Sequence, residues 1–229
     1  MKVEGVAFDL EGNVIDVEFA HHRGHLYSAA RVGVHLTLEQ AINILPHFIG
    51  GPDTAIAREI FELSGEKSSP EAISQDKTTH YNEQLSTLDK IEPRVGFLEF
   101  LIYARGLGLP TAIGSLTVRH QALTLLRASG LDQLFPSTDI LLREDVVNVK
   151  PDPEVYLKTA QIMGIDPANQ LVFDDSPNGI RASIAAGSRA IGMPVYYDMP
   201  EVREALKVAG ASRIFRNWRQ VNIKTHRIF

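Results

Sequence analysis

Four short stretches of the chain carry residue types able to make and break bonds. Asp9 and Glu11 stand two apart at the end of an apolar run, and Ser115 follows Thr111-Ala112-Ile113-Gly114. Lys150 opens Lys150-Pro151-Asp152-Pro153, and Asp174 and Asp175 follow Leu171-Val172-Phe173. If these places meet, four carboxylates, one hydroxyl and one ammonium converge. Carboxylates in that number repel one another, and a hard divalent cation among them removes the repulsion. Oxygen-only ligation favours Mg²⁺. Mg²⁺ beside a lysine in turn suits a phosphoryl group, whose oxygens carry the charge that builds during transfer.

Such a meeting needs elements that end at one edge. Val3, Val6, Ala7, Phe8 and Leu10 form a short apolar run bounded by a turn signal, which reads as a buried strand. Thr111–Gly114, Asp139–Leu142, Leu171–Phe173 and Arg189–Gly192 read as four more, with helical patterns between them. Strands alternating with helices predict an α/β fold, a Rossmann-like parallel sheet with helices on both faces. In such sheets ligands bind beyond the C-terminal strand ends, where the reactive residues fall. Val95, Leu98 and Ile102 are spaced as a helix face, as are Ile180 and Ile184. Asp152-Pro153 and Ser176-Pro177 read as N-caps with Pro at the first helical position. Trp218 reads as a packing residue. Residues 16–91 show helical patterns broken at Gly50-Gly51-Pro52 and Ser68-Ser69-Pro70, with no convincing strand. They read as an inserted α-helical cap domain, leaving 1–15 and 92–229 as the α/β core domain.

Taken in order, these motifs resemble those of the haloacid dehalogenase superfamily, in its phosphatase and β-phosphoglucomutase-like branch. Phe8-Asp9-Leu10-Glu11-Gly12-Asn13 resembles the first motif, Asp-x-Asp-Gly-Thr/Val, and Ala112-Ile113-Gly114-Ser115 the second. Lys150-Pro151-Asp152-Pro153 is similar to the third, and Phe173-Asp174-Asp175-Ser176-Pro177-Asn178-Gly179-Ile180 to the acidic fourth. Asp16-Val17-Glu18-Phe19-Ala20-His21 resembles the entry to the family's helical cap. The resemblance implies a hydrolase in which Asp9 attacks phosphorus and forms an aspartyl-phosphate. Glu11 would serve as general acid and base, Lys150 would offset negative charge, and Ser115 would donate to phosphoryl oxygens. Mg²⁺ would be held by Asp9, the Glu11 backbone carbonyl and Asp175, with Asp174 a direct or water-mediated ligand. The cap would close over the site and select a small phosphorylated metabolite, a sugar phosphate among the candidates. His21 and Gly50 are the implied cap contacts to substrate, although Gly50-Gly51-Pro52-Asp53 reads equally well as a plain turn. Where the mutase branch carries an arginine and a lysine for a second phosphate, this chain has Asp53 and Val118. The expectation is therefore a phosphatase, with a β-phosphoglucomutase-like mutase as the alternative.

Glu11 departs from the family pattern, which has Asp there. One more methylene carries the carboxyl ~1.5 Å farther, and a misplacement of ~1 Å can cost roughly 100-fold in rate. Three consequences stay open. Glu11 works from a slightly retracted backbone; or it slows the enzyme or suits an unusual substrate; or the chain binds phosphorylated ligands without turnover. Glu11→Asp raises turnover if geometry is limiting, and leaves it unchanged or lower if the site has adapted. Ser115 has a second reading as the cap of the helix after it. His21, His22 and His25 suggest a zinc cluster or, better, a polar helix at the cap entrance. Lys77 and His80 read as a solvated helix face.

The whole chain has 229 residues, with 23 Lys and Arg against 28 Asp and Glu, a net charge of −5. That balance gives no basic face for nucleic acid. The absence of Cys excludes disulfides, thiolate metal sites and a catalytic thiol. No apolar run approaches the ~18 residues of a membrane span, and Met1-Lys2-Val3-Glu4-Gly5 does not read as a signal peptide. The expected protein is cytoplasmic, and a monomer or homodimer.

Overall fold

A computed structural model describes residues 2–49, 51–87 and 90–221. The chain divides into two compact units, one formed by Met1–Asp16 with Asp89–Phe229 and the other by Val17–Leu88. Among the described residues no helix is long and apolar enough to cross a membrane.

The first unit is an α/β sandwich. Its strands are β1 (Gly5–Phe8), β2 (Thr111–Gly114), β3 (Ile140–Leu141), β4 (Gln170–Asp174), β5 (Arg189–Gly192) and β6 (Arg213–Ile214). They form one sheet in the order β3-β2-β1-β4-β5-β6, every pairing parallel. β6 goes beyond the expected five strands; two residues are too short to leave an apolar run. β1, β2 and β4 are buried along their whole length, as parallel strands covered on both faces must be. The chain steps from β1 outward to β2 and β3, then returns to β4 on the other side of β1. That reversal opens a crevice beyond the C-terminal ends of the central strands.

The helices of this unit are α5 (Phe97–Gly106), α6 (Arg119–Ser129), α7 (Glu154–Met163), α8 (Pro177–Ala185) and α9 (Pro200–Ala209); α1 to α4 belong to the second unit. Consecutive strand residues point to opposite faces, and two neighbours show what covers each. Ala7 packs with Val155 and Tyr156 of α7. The Phe8 ring meets Phe97 and Phe100 of α5 with centroids 5.2 and 6.1 Å apart, and Trp218 at 5.5 Å. Helices therefore lie on both faces, and Trp218 is a buried packing residue whose indole donates to the Asn13 carbonyl at 3.3 Å.

α5 is turned differently from the expectation. Val95, Leu98 and Ile102 are exposed, Ile102 by 73%, while Phe97, Phe100, Leu101 and Ala104 are buried. Apolar residues surround most of this helix, so its period alone does not choose a face; the two phenylalanines bury the larger area. On α8, likewise, Ile180 is buried and Ile184 exposed. α8 starts as expected, Ser176 Oγ accepting from the Gly179 N–H at 3.0 Å with Pro177 first in the helix. α7 starts one residue later than expected. Pro153 already has helical angles but stands at the cap, and Asp152 Oδ1 accepts from the Glu154 N–H at 3.0 Å from one position farther out.

The second unit holds α1 (Glu18–Arg31), α2 (Leu38–Ile44), α3 (Asp53–Leu63) and α4 (Pro70–Ser86), and none of its described residues is in a strand. Thr37 and Gln40 close a capping box on α2, and Ser69 caps α4 ahead of Pro70. Ala29, Leu45, Phe48, Ile56, Ile60 and Ile73 form its apolar core.

Candidate active site

Asp9 is the first residue past β1. Its N–H still pairs with the Phe173 carbonyl at 2.9 Å, so the sheet ladder fixes where the side chain leaves. Asp174 ends β4, one strand over. Lys150 lies between them: its ammonium donates to Asp9 Oδ1 at 2.5 Å and to Asp174 Oδ2 at 2.9 Å. All three are buried. The Tyr156 hydroxyl also donates to Asp174 Oδ2, and the Ser176 N–H and hydroxyl both donate to Oδ1 at 2.9 Å. Both oxygens of Asp174 are thus taken by protein donors. Gly179 makes room for this carboxylate, because a Cβ there would overlap it.

Glu11 and Ser115 meet through a residue the motifs did not indicate. Thr117 Oγ1 donates to Glu11 Oε1 at 2.6 Å and lies 3.0 Å from Ser115 Oγ. Ser115 Oγ accepts from the Thr117 N–H at 3.3 Å, whereas the residue before α6 is Val118. Ser115 therefore does not cap α6. Asp175 approaches from β4: a Cβ on Gly12 would fall 2.4 Å from Asp175 Oδ2, and Gly12 holds φ +74°. Only glycine tolerates both conditions. The β1 turn and the two acids at the end of β4 are accordingly neighbours, as the strand order requires.

The electrostatics are unbalanced. Burial pushes the Asp9 carboxyl up to about 7; Lys150 opposes the rise, while Asp174 and Glu11 add to it. For Lys150, burial opposes the charge, but Asp174 and Asp9 outweigh it and hold the ammonium well above its usual range. Burial also raises the Tyr156 hydroxyl, helped by Asp174, so it stays a donor. Asp9 and Asp174 share one ammonium, with Glu11 near enough to raise Asp9 further, and the donor set is oxygen only, which fits a hard divalent cation. Among the described residues no three His, Asp or Glu side chains form a ready metal shell. Mg²⁺ needs none, since it keeps several waters and takes one or two carboxylates plus substrate oxygens.

His21 lies in the helical unit. Its Nδ1 accepts from the Lys77 ammonium at 2.9 Å, and its ring packs on Tyr81 with centroids 4.3 Å apart. Lys77 is not on a solvated face: it is only 3% exposed and donates to Asp53 Oδ2 at 2.5 Å. His25 Nε2 pairs with Asp53 Oδ1 at 3.1 Å, and His22 stacks on Phe48. Gly50 lies outside the described residues. Besides Thr117, the motifs pass over Tyr156, whose hydroxyl holds Asp174. Its signal was available, since a buried tyrosine needs a partner for its hydroxyl.

The chain is similar to several known proteins. A family model described as haloacid dehalogenase-like hydrolase matches residues 3–187. The chain is 30% identical to fructose-1-phosphate phosphatase YqaB of Escherichia coli (strain K12) over 187 residues, covering 82% of this chain and 94% of that protein. It is 28% identical to hexitol phosphatase A of the same organism, covering 89% of each. A solved haloacid dehalogenase family hydrolase from Deinococcus radiodurans R1, with bound phosphate and sodium, superposes with a TM-score of 0.74. That match is 27% identical and covers 93% of this chain and 90% of the other.

Proposed function

Since the chain belongs to the haloacid dehalogenase-like hydrolases, we propose that it is a phosphatase that hydrolyses a small phosphorylated sugar or polyol through an aspartyl-phosphate on Asp9. The observation that carries this reading is the buried Asp9 carboxylate held 2.5 Å from the Lys150 ammonium at the end of β1. An oxygen fixed in place beside a buried cation is set to attack an electrophile that brings negative oxygens of its own.

The reaction has two displacements. An Asp9 oxygen forms a bond to phosphorus as the ester P–O bond breaks, and protonated Glu11 gives its proton to the leaving alcohol. Glu11, now a carboxylate, then takes a proton from water as the water oxygen attacks phosphorus and frees Asp9. Thr117 Oγ1 donates to Glu11 Oε1 at 2.6 Å, a contact that suits the longer side chain to its task. Lys150 and Ser115 bind the phosphoryl oxygens, and Asp174, fixed by Tyr156 and Ser176, anchors Lys150. Asp9, Asp175 and the Glu11 carbonyl would hold Mg²⁺, which when bound neutralises phosphoryl charge. Substrate selection we assign to the helical unit; the relatives named for fructose 1-phosphate and hexitol phosphates support a polyhydroxylated monophosphate.

The test is phosphate release from an aryl phosphate with Mg²⁺, followed by a panel of sugar and polyol monophosphates, with Asp9→Asn as the blank. Turnover above the blank, fastest on a member of the panel, is expected. A wild-type rate equal to the blank, with retained ligand binding, makes the chain a binder of phosphorylated ligands and overturns the proposal.

A further inference from the structure

Arg94 has no place in the mechanism above, yet its guanidinium gathers backbone oxygens from three separate parts of the α/β unit. It donates to the carbonyls of Gly12 and Met193, to Pro194 at 3.0 Å and to Arg216 at 3.3 Å, with Asn13 O at 3.5 Å. Its own N–H donates to the Val14 carbonyl at 2.8 Å. The oxygens come from the turn after β1, from the chain leaving β5 and from the segment after β6. Five carbonyls around one cation resemble the shell of an alkali metal ion, here filled by a tethered side chain.

Resting on the reading that the turn after β1 is catalytic, we infer that Arg94 is the positioning residue that sets this turn. The turn has few bonds of its own: Gly12 N–H to Ile15 O at 2.7 Å, and the Val14 and Ile15 N–H groups to Leu10 O at 2.9 and 3.0 Å. The Gly12 peptide is held from two sides, by Arg94 on its carbonyl and by the Asp175 carboxylate against its Cα. Arg94 thereby fixes the separation between the Asp9–Glu11 pair and Asp175. Only a planar fork with five donors spans this set of oxygens; a lysine offers three donors from one point.

The experiment compares Arg94→Ala and Arg94→Lys with the wild-type full chain in three measurements. The first is amide hydrogen exchange in a peptide covering residues 8–16. The second is steady-state kinetics on an aryl phosphate with Mg²⁺, and the third is rescue by millimolar guanidinium. For Arg94→Ala, exchange in the turn is expected to rise ~10-fold or more. kcat is expected to fall roughly 10- to 100-fold with KM within a few-fold, and guanidinium to restore kcat several-fold. Arg94→Lys falls between, and decides the matter if Arg94→Ala does not fold. Unchanged turn exchange overturns the inference. So does a lowered melting temperature with wild-type kcat in the folded fraction, which makes Arg94 a structural clasp only. A wild type without turnover, combined with faster turn exchange in Arg94→Ala, upholds the clamp and overturns the phosphatase reading.

Discussion

Each unit of the molecule buries one lysine, and the two are built alike up to a point. Lys150 in the α/β unit is 9% exposed and Lys77 in the helical unit 3%. Each ammonium lies about a ring's width from a tyrosine, 4.9 Å from the Tyr156 centroid and 5.0 Å from that of Tyr81. Each donates to an aspartate oxygen at 2.5 Å. The second partner differs: a carboxylate, Asp174, for Lys150, and an imidazole nitrogen of His21 for Lys77. Burial pushes the pKa of Asp9 and of Asp53 in the same direction, upward. In the helical unit the His25 hydrogen bond and the Lys77 charge overcome that push and hold Asp53 well below the usual carboxylate range. In the α/β unit one lysine cannot serve two buried carboxylates with Glu11 nearby, and Asp9 rises to about 7. A buried ion pair whose charges close is architecture. One whose charges do not close has been left open for a ligand.

The largest effect expected from this contrast lies in the two aspartates. Asp9→Asn removes the attacking oxygen's charge and should lower phosphate release by ~10⁴-fold or more. Asp53→Asn should leave kcat within ~10-fold of wild type and lower the urea midpoint instead. Equal losses of kcat in the two variants would erase the distinction between an open and a closed cluster.

Next come the lysines themselves. Lys150→Met leaves Asp9 and Asp174 facing each other without a cation. kcat should fall roughly 10³-fold, as expected when a charge that stabilises the transition state is removed. Lys77→Met should instead destabilise the fold by about 2 kcal/mol in urea titrations, with any kinetic effect confined to KM. Breaking a fully buried pair costs ~3–5 kcal/mol, and the lower figure follows because the Asp53 side chain is 44% exposed and partly screened by water. A Lys150→Met enzyme with wild-type kcat would show that the open cluster plays no part in turnover.

The two lysines also differ in how far the sequence foretells them. Lys150 stands in a motif ahead of a helix signal, and Asp9, Ser115, Asp174 and Asp175 follow strand signals. Short apolar runs ending in polar residues mark a parallel strand and its reactive end together, so five of the six strands and these four places are legible, and Lys150 through its motif. Lys77 reads as solvated on its own helix. It is buried because Asp53 of α3 pairs with it and because Gly24 of α1 leaves room, a Cβ there falling 3.2 Å from Lys77 Cγ. Neither fact is local to α4. Thr117 and Arg94 escape for the same reason: their importance lies in partners 106 and about 80 to 120 residues away. On α5 the period was right and the face was wrong, since period alone cannot orient a helix that is apolar on several sides.

A smaller effect tests whether the open cluster is tuned to its own glutamate. Glu11→Asp withdraws the carboxyl from Thr117, whose hydroxyl lies 2.6 Å from Oε1. Losing a hydrogen bond to a charged group costs ~1.5–3 kcal/mol, so kcat should fall about 10-fold. Thr117→Val should fall by a similar factor, and the double variant by little more than either, because the two residues act through one contact. A rise in kcat for Glu11→Asp would show that the longer side chain limits the enzyme and that Thr117 merely tolerates it.

The mildest prediction concerns acid. Burial, with His25 and His21 nearby, holds the His22 imidazole down at about 4, against its usual 6.5. The unfolded chain takes up that proton near 6.5 while the folded chain refuses it until about 4. Protonation therefore favours unfolding through this window. The contribution is fully present above pH 6.5, is lost progressively down to about 4, and changes no further below. Asp53 acts lower on the scale: its depressed carboxyl stabilises the fold above the usual carboxylate range and loses that contribution only as pH falls beneath it. The two windows are thus separable. His22→Phe keeps a ring against Phe48, where the wild-type rings stack at 4.8 Å and 21°, but takes up no proton. Its urea midpoint should fall less steeply than wild type between pH 6.5 and 4, with some slope left from His25, which burial also lowers. Identical slopes would mean that His22 is charged in the folded protein, and that the helical unit's charges are not closed after all.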